Sequence, residues 1–408
     1  MIKNSSEWVS NAHPDRLADL IASKIIQDIQ HKDGINSHAA VEVFLLHDSV
    51  IVTGEVTTTL DITDVYLRQV VTECFDRAGY ISEMRKFWSV DEVVLPQDLK
   101  IENRLFKQSP DIALATTSKG KDTGYNDQGI YYSTSCDATM SHLGAPHFIA
   151  TLIGESLALS SRKLIKREDA VDRIGPDIKV VVTTLSDEES ASYHEVTAIT
   201  IAVPHSSKTS VEDVRKHVKH FVTDLLDDWN IKVAYDCKWV INGTGRFVVH
   251  GQVSDTSMTG RKLAVNMPSA APFYMSKMCG GGSLVKCAHA SDLILPLACR
   301  FIANVVVEAG LSSYALVAAS CAIGQSNLQS IAIKGDKNFD GLSEKVSEFF
   351  LKEFQWSPYN ITKLFGFFTD KFDFSKVVEH NFFGKSDVHP WDSEELIKPY
   401  VEKLRAIL

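Results

Sequence analysis

The sequence predicts an α+β protein built as three similar α+β domains. Two observations carry this. A helix, a strand hairpin and a second helix follow one another three times, with a period of roughly 140 residues, the size of an ordinary domain. The balance of 44% hydrophobic and 23% charged residues over 408 positions is that of a globular chain with enough apolar side chain for several cores. Each helix–hairpin–helix unit lays its helices on one face of a mainly antiparallel sheet.

In the first unit, Leu17, Leu20, Ile21, Ile25 and Ile29 recur at helical spacing over 15–30. Two runs rich in Val and Ile, 39–46 and 49–58, flank His47-Asp48 as a hairpin requires. Asp61 is the expected cap of a second helix with Ile62, Val65, Tyr66, Val70 and Cys74 on one face. The second unit repeats the order: a helix near 145–159, strands at 179–184 and 196–203, then a helix carrying Val211, Val214, Val218, Phe221, Val222 and Leu225. The third has a helix at 293–309, strands at 314–322 and 330–334, and a helix at 342–354. Polar, Gly-bearing segments join the units. Residues 116–126 read as a mobile loop too polar to pack, and 242–245 open the third unit. The expected domains are 1–115, 124–241 and 242–408.

Charge narrows the function. There are 42 basic and 52 acidic residues, a net charge of -10. A protein that binds nucleic acid or a membrane surface through bulk electrostatics is normally basic, so neither partner is expected. Local anion sites are compatible with this balance. No apolar stretch is long enough to span a bilayer, and no basic-then-hydrophobic leader opens the chain. Seven scattered cysteines, an odd number, point to reduced thiols and a cytoplasmic location.

Several charged residues have two readings. His13-Pro14-Asp15 precedes the first helix. Pro and Asp there are ordinary capping chemistry, and His13 and Asp15 are equally placed to face an anion or a metal-bound phosphate. Glu42 interrupts an apolar strand, so either the strand has an exposed face or the carboxylate meets a cation. Gly243-Thr244-Gly245-Arg246-Phe247, Asp255 and Thr259-Gly260-Arg261-Lys262 place two Gly-Arg turns around a carboxylate. That suits phosphate binding through backbone N–H groups and guanidinium forks. It is neither a Walker loop nor a Rossmann fingerprint. Gly280-Gly281-Gly282, followed by Lys286 and Asp292, either admits a ligand close to the backbone or is a flexible loop. Cys279, Cys287 and His289 lack a fourth ligand at zinc-finger spacing.

Taken in order, these segments resemble the S-adenosylmethionine synthetase (methionine adenosyltransferase) family. Ala12 to Asp19 resembles the family's GHPDK followed by IAD, and Thr53 to Thr58 resembles GGEITT. QSPDI stands unaltered at 108–112. Gly124 to Gly129 resembles GAGDQG, with a divergence at Asn126. Gly243 to Phe247 resembles PTGRF, Met258 to Lys262 resembles GLTGRK, and Cys321 to Gly324 resembles YAIG. Near the end, Asn381 to Gly384 and His389 to Asp392 resemble HFG and FPWE. Each motif alone is weak, but the ordered set spans essentially the whole chain. The resemblance implies three similarly built domains related by pseudo-threefold symmetry. It also implies a homodimer or dimer of dimers with active sites at the subunit interface.

The reaction it implies joins ATP and L-methionine. The thioether attacks the ribose 5′ carbon and the whole triphosphate leaves, to be hydrolysed to pyrophosphate and phosphate. A thioether has no proton to remove, so alignment and stabilisation of the departing charge replace base catalysis. Magnesium and potassium are the implied cofactors. By the same resemblance His13 sits against the departing oxygen, and Asp15 and Asp292 hold magnesium. Lys179 (in Pro176 to Lys179, like the family's PDxK), Arg261, Lys262 and Lys286 neutralise the triphosphate. Asp127, Asp177, Arg246 and Phe247 serve ATP. Glu55, Gln108 and Asp255 recognise methionine, and Glu42 binds potassium.

The departures are equally specific. The family's Gly before His is Ala12, and its Lys after Asp is Arg16. Its GGWGAHGGG is largely replaced by 268–279, and its GKDPTKVDRS stands here as Val285 to Ile294. Lys286 and Asp292 are kept, but the second lysine falls on Ala290. Removing a cation from a desolvated phosphate site costs on the order of a few kcal/mol; Lys277 is the candidate substitute. Three functions follow: an active S-adenosylmethionine-forming enzyme, the same chemistry on another thioether or nucleotide, or an impaired subunit that regulates an active homologue.

Overall fold

The computed structural model describes residues 1–108, 122–167, 173–187, 190–267 and 283–408. Strand β1 (Ile2–Val9) opens the chain. Helix α1 (Pro14–Asp33), the hairpin β2 (His38–Leu46) and β3 (Ser49–Thr57), helix α2 (Asp64–Ala78) and strand β4 (Lys100–Lys107) follow. The order then recurs as β5 (Gly129–Cys136), α3 (Ala145–Lys166), hairpin β6 (Lys179–Ser186) and β7 (Tyr193–Ala202), α4 (Val211–Asp228) and β8 (Val233–Ile241). The third pass is β9 (Ser257–Met258), α5 (Ser291–Glu308), hairpin β10 (Tyr314–Cys321) and β11 (Ser330–Gly335), and α6 (Ser343–Glu353). Three helices close the chain: α7 (Pro358–Leu364), α8 (Phe374–Glu379) and α9 (Glu394–Ile407).

The sheets have the orders β9-β2-β3-β4, β1-β6-β7-β8 and β5-β10-β11. Each is built around one antiparallel hairpin. The fourth strand of the first two runs parallel to the second hairpin strand. The strand that precedes each long helix does not join that helix's own sheet. β1 completes the second sheet, β5 the third and β9 the first, each antiparallel to the first hairpin strand. The divisions 1–115, 124–241 and 242–408 stand as proposals for the contiguous units; each sheet is completed by a strand from outside its own.

Alternation explains the first sheet. Val41, Val43 and Leu45 point inward from β2 onto α1, whose Leu17, Leu20, Ile21, Ile25 and Ile29 are fully buried. Burying each such side chain contributes about 1.5–3 kcal/mol. Ala40, Glu42 and Phe44 lie on the opposite face, which is only partly covered. Glu42 thus occupies the open side of a one-sided strand. The second helix is capped by the Thr63 hydroxyl, which accepts the Tyr66 N–H, and not by Asp61. Its buried face is Leu67, Val70, Val71, Cys74 and Phe75, whereas Val65 is exposed. At 3.6 residues per turn Val65 falls on the side of the helix opposite Leu67, Val70 and Cys74.

The end of the polar segment 116–126 is also packed. Tyr125 is fully buried, its N–H bonds to Gln325 O at 2.9 Å, and its hydroxyl reaches Trp356 O. An aromatic ring there outweighs the flanking polarity. The remainder of that segment, 116–121, lies outside the described residues. On the uncovered sheet faces Phe106, Ile130, Tyr235 and Val240 are exposed.

Candidate active site

The first cluster forms where the turn 255–262 docks on the start of α1. His13 is the N-cap of that helix, and its Nδ1 accepts the Asp15 N–H at 3.2 Å. The ring is buried, and Lys262, Lys179, Arg16 and Arg261 lie around it. Burial first, then those cations, pull its pKa down to about 2. His13 is therefore a neutral imidazole. With Nδ1 accepting, its proton sits on Nε2, which faces Asp255 Oδ2 at 3.6 Å. Asp15 is also buried. Its Oδ1 accepts Met258 N–H at 3.2 Å with Arg261 Nε at 3.6 Å, and its Oδ2 binds the Lys262 ammonium. Asp19, one turn on, accepts Gly260 N–H at 2.8 Å, and burial raises its pKa to about 6. Asp177, buried behind them, accepts Gly251 N–H at 3.0 Å and is raised by burial to about 7 despite Lys179 and Lys262. Lys179 is exposed at the start of β6.

A second cluster lies at the N-terminus of α5. Asp292 is in its first turn, and burial raises its carboxyl above the usual range. Lys286 opposes that rise, Asp127 adds to it, and the Tyr131 hydroxyl opposes it. Lys286 Nζ also lies 3.2 Å from Glu42 Oε1, and Glu42 Oε2 accepts the Thr259 hydroxyl. Glu42 therefore stands between the two clusters, with Thr259 from the first and Lys286 from the second.

The other candidates are placed apart. Phe247 is held by His205, its O accepting the His205 N–H at 2.8 Å and its N–H donating to His205 Nε2 at 3.3 Å, and Arg246 is exposed beside it. Glu55 shares the open face of the first sheet with Glu42, since Thr53 pairs with Glu42 and Glu55 with Ala40. Gln108 accepts the Thr57 hydroxyl at 3.2 Å. Among the described residues no hydrogen bond or ion pair joins Glu55, Gln108 or Arg246 to either cluster. Residues 109–112, the loop 268–279 with Lys277, and Gly280 to Gly282 lie outside the described residues.

Comparison with known proteins identifies the family. The S-adenosylmethionine synthetase N-terminal domain matches residues 2–110, its central domain 122–247 and its C-terminal domain 249–393. An S-adenosylmethionine synthase of Acholeplasma laidlawii is 31% identical over 97% of this chain and 97% of its own. The chain belongs to the S-adenosylmethionine synthetase family. A second relative, from Fusobacterium nucleatum, is 30% identical over 95% of this chain and 94% of its own. The fold matches that of an unusual S-adenosylmethionine synthetase from Campylobacter jejuni with a TM-score of 0.85, covering 98% of this chain and 100% of the other at 24% identity.

Against the family's pattern, one departure has a visible reason. Arg16, where the family has lysine, is fully buried and serves three acceptors: Asn266 Oδ1 at 2.7 Å, Val378 O at 2.5 Å and Asn11 Oδ1 at 3.3 Å. The bonds are divided between two nitrogens, Nη1 toward Asn266 and Nη2 toward Asn11 and Val378, a spread that the single nitrogen of lysine does not offer. Sequence reasoning passed over Asp19, Thr259 and Tyr131 as participants. Asp19 lay inside the quoted first motif, which was its signal. Nothing in the sequence marked Tyr131.

Proposed function

We propose that the chain forms S-adenosylmethionine from ATP and L-methionine, with triphosphate leaving and then hydrolysed. The observation that supports this most directly is His13: a buried, neutral imidazole with Nδ1 occupied and Nε2–H free to donate, ringed by Lys179, Arg261 and Lys262. Such a group stabilises negative charge growing on a departing oxygen without giving up its proton. Attack by a thioether needs nothing more from an acid or base. The three cations suit a triphosphate, and Lys286 adds a fourth from the second cluster.

In this reading Asp127, Asp177, Arg246 and Phe247 bind ATP, and Glu55, Gln108 and Asp255 take the amino-acid end of methionine. The carboxylates also fit the implied cations. Among the described residues no three His, Cys, Asp or Glu side chains converge as a closed cage. Magnesium does not need one, since it is commonly held by one or two carboxylates and the phosphates themselves. Asp292, raised by burial and by Asp127, and Asp15 would hold it, and Glu42 with the Thr259 hydroxyl would hold potassium. Bound there, the cations supply charge neutralisation of the triphosphate.

We further propose a homodimer or dimer of dimers, supported by Phe106, Ile130, Tyr235 and Val240 on uncovered sheet faces. A cytoplasmic location fits the free cysteines; no described helix is long and apolar enough to cross a membrane. Ala290, with no cation to offer, favours the second reading, an impaired subunit. Mass spectrometry of product from ATP, methionine, Mg2+ and K+ separates the two. S-adenosylmethionine that vanishes in His13→Ala supports the enzyme. ATP binding without product, with turnover on adding an active homologue, overturns it.

A further inference from the structure

The N-cap of α5 is Ala290, which has no side-chain acceptor for the helix's free N–H groups. The acceptor comes from 165 residues away in sequence. Asn126 Oδ1 accepts the Ser291 N–H at 2.9 Å and the Ser291 hydroxyl at 3.2 Å. Ser291 in turn accepts the Tyr131 hydroxyl at 2.9 Å. Asn126 adjoins Asp127, and Ser291 adjoins Asp292, so one amide oxygen joins the segments that carry the two carboxylates of the second cluster.

The loop is anchored on both sides of this bond. Tyr125 N–H reaches Gln325 O, Gly324 N–H returns to Tyr125 O at 2.8 Å, and Cys321 Sγ–H reaches Asp127 O at 3.4 Å. Asp127 adds to the cost of ionising Asp292, which burial already penalises. Left to themselves, two like charges on an exposed loop and a helix end would separate. Asn126 stands where the family pattern has Gly, and Ser291 where it has Val, so two departures from that pattern are bonded to each other.

We propose that Asn126 is a positioning residue. It caps α5 in place of Ala290 and holds Asp127 and Asp292 at a fixed separation, preformed for the magnesium complex of a nucleoside triphosphate. This rests on the function proposed above, and the experiment separates the two.

The variants are Asn126→Ala, Ser291→Val and the double, with Mg–ATP as the probe. Calorimetry gives its Kd, steady-state kinetics gives both KM values, and hydrogen exchange follows the Ser291 amide. Asn126→Ala removes both bonds to Ser291 and is expected to weaken Mg–ATP binding about 5- to 15-fold, on the order of the net contribution of one to two hydrogen bonds. The KM for methionine stays within twofold, and the Ser291 amide loses protection. Ser291→Val keeps the backbone N–H that bonds Asn126 but loses the hydroxyl's bonds to Asn126 and Tyr131, so it is expected to weaken binding less than Asn126→Ala. The double variant is expected to lose less than the product of the two effects, because both remove the Asn126–hydroxyl bond. A Kd within twofold of wild type, effects that multiply, an equal rise in methionine KM, or failure of Asn126→Ala to fold would each overturn the positioning role. Wild-type protein that binds no Mg–ATP would sink the functional reading instead. The clamp would then stand or fall on the Ser291 amide alone.

Discussion

Asp15 and Lys262 show why a residue's type is legible before its partner is. Asp15 is identifiable beside His13 and Pro14, and Lys262 beside Gly260 and Arg261, but 247 residues separate them and only the fold makes them a pair. Glu42 is a similar case: its strand reads as apolar throughout, and only the sheet shows that one face is open. His13→Ala is expected to lower kcat by about 100- to 1000-fold, the usual loss for a group that stabilises a developing oxyanion. Mg–ATP Kd should change only a few-fold, because Lys179, Arg261 and Lys262 remain. Asp177 supplies a pH dependence that His13 does not. His13 stays neutral throughout the working range, whereas Asp177, raised to about 7, ionises across neutrality. Once anionic it engages Lys179 and Lys262 and competes with a triphosphate for them. Mg–ATP affinity is therefore expected to fall as pH rises through 7, and Asp177→Asn should flatten that dependence in titrations between pH 6 and 8. A dependence unchanged in the variant would assign it elsewhere.

At the scale of elements, the three hairpins were legible because runs of Val and Ile on inward positions announce a strand. β1 was not. Its sequence, IKNSSEWV, buries only Trp8 and Val9 fully, because most of it forms a sheet edge. β9 is two residues long and carries no pattern at all. Besides its pairing with β6, β1 makes a close contact with α3: a Cβ on Gly154 would lie 2.0 Å from Cε3 of the Trp8 ring. Glycine at 154 is what lets strand and helix meet. Gly154→Ala is expected to destabilise by about 1–3 kcal/mol through overpacking, read as a lower urea midpoint. Thr63→Ala removes the cap of α2 and should cost about 1 kcal/mol. A full effect there with none at Asp61→Ala would distinguish the two candidate caps.

For the whole molecule, buried histidines set the acid limit. His147, His250 and His289 are each lowered to about 4, chiefly by burial, and His13 further still. Between about pH 6.5 and 4 the unfolded chain binds protons at these four positions and the native chain does not, so stability falls as pH falls. Asp19 and Asp177 act in the opposite sense, since the native state takes up their protons first. His38 and His389 are lowered as well, and Asp137 and Asp292 raised, so six histidines stand against four carboxyls and leave a net loss. The thermal midpoint is expected to drop steadily from pH 7 to pH 5, and less so in His250→Phe if the variant folds. A midpoint that holds or rises toward pH 5 would contradict the neutral histidines.

The exchange of strands between sheets also imposes an order on synthesis. Of these strands Ile2–Val9 leaves the ribosome earliest, yet it pairs with Lys179–Ser186, and the hairpin β2–β3 waits for Ser257–Met258 to close its edge. At about 5–20 residues per second, the nascent chain carries unpaired edges on the order of ten seconds or more. It cannot complete its first sheet until well over half of it has been made. A fragment cut at any boundary between the three units would keep a hairpin and lose its neighbour, so such fragments are expected to be insoluble singly and to recover structure when mixed.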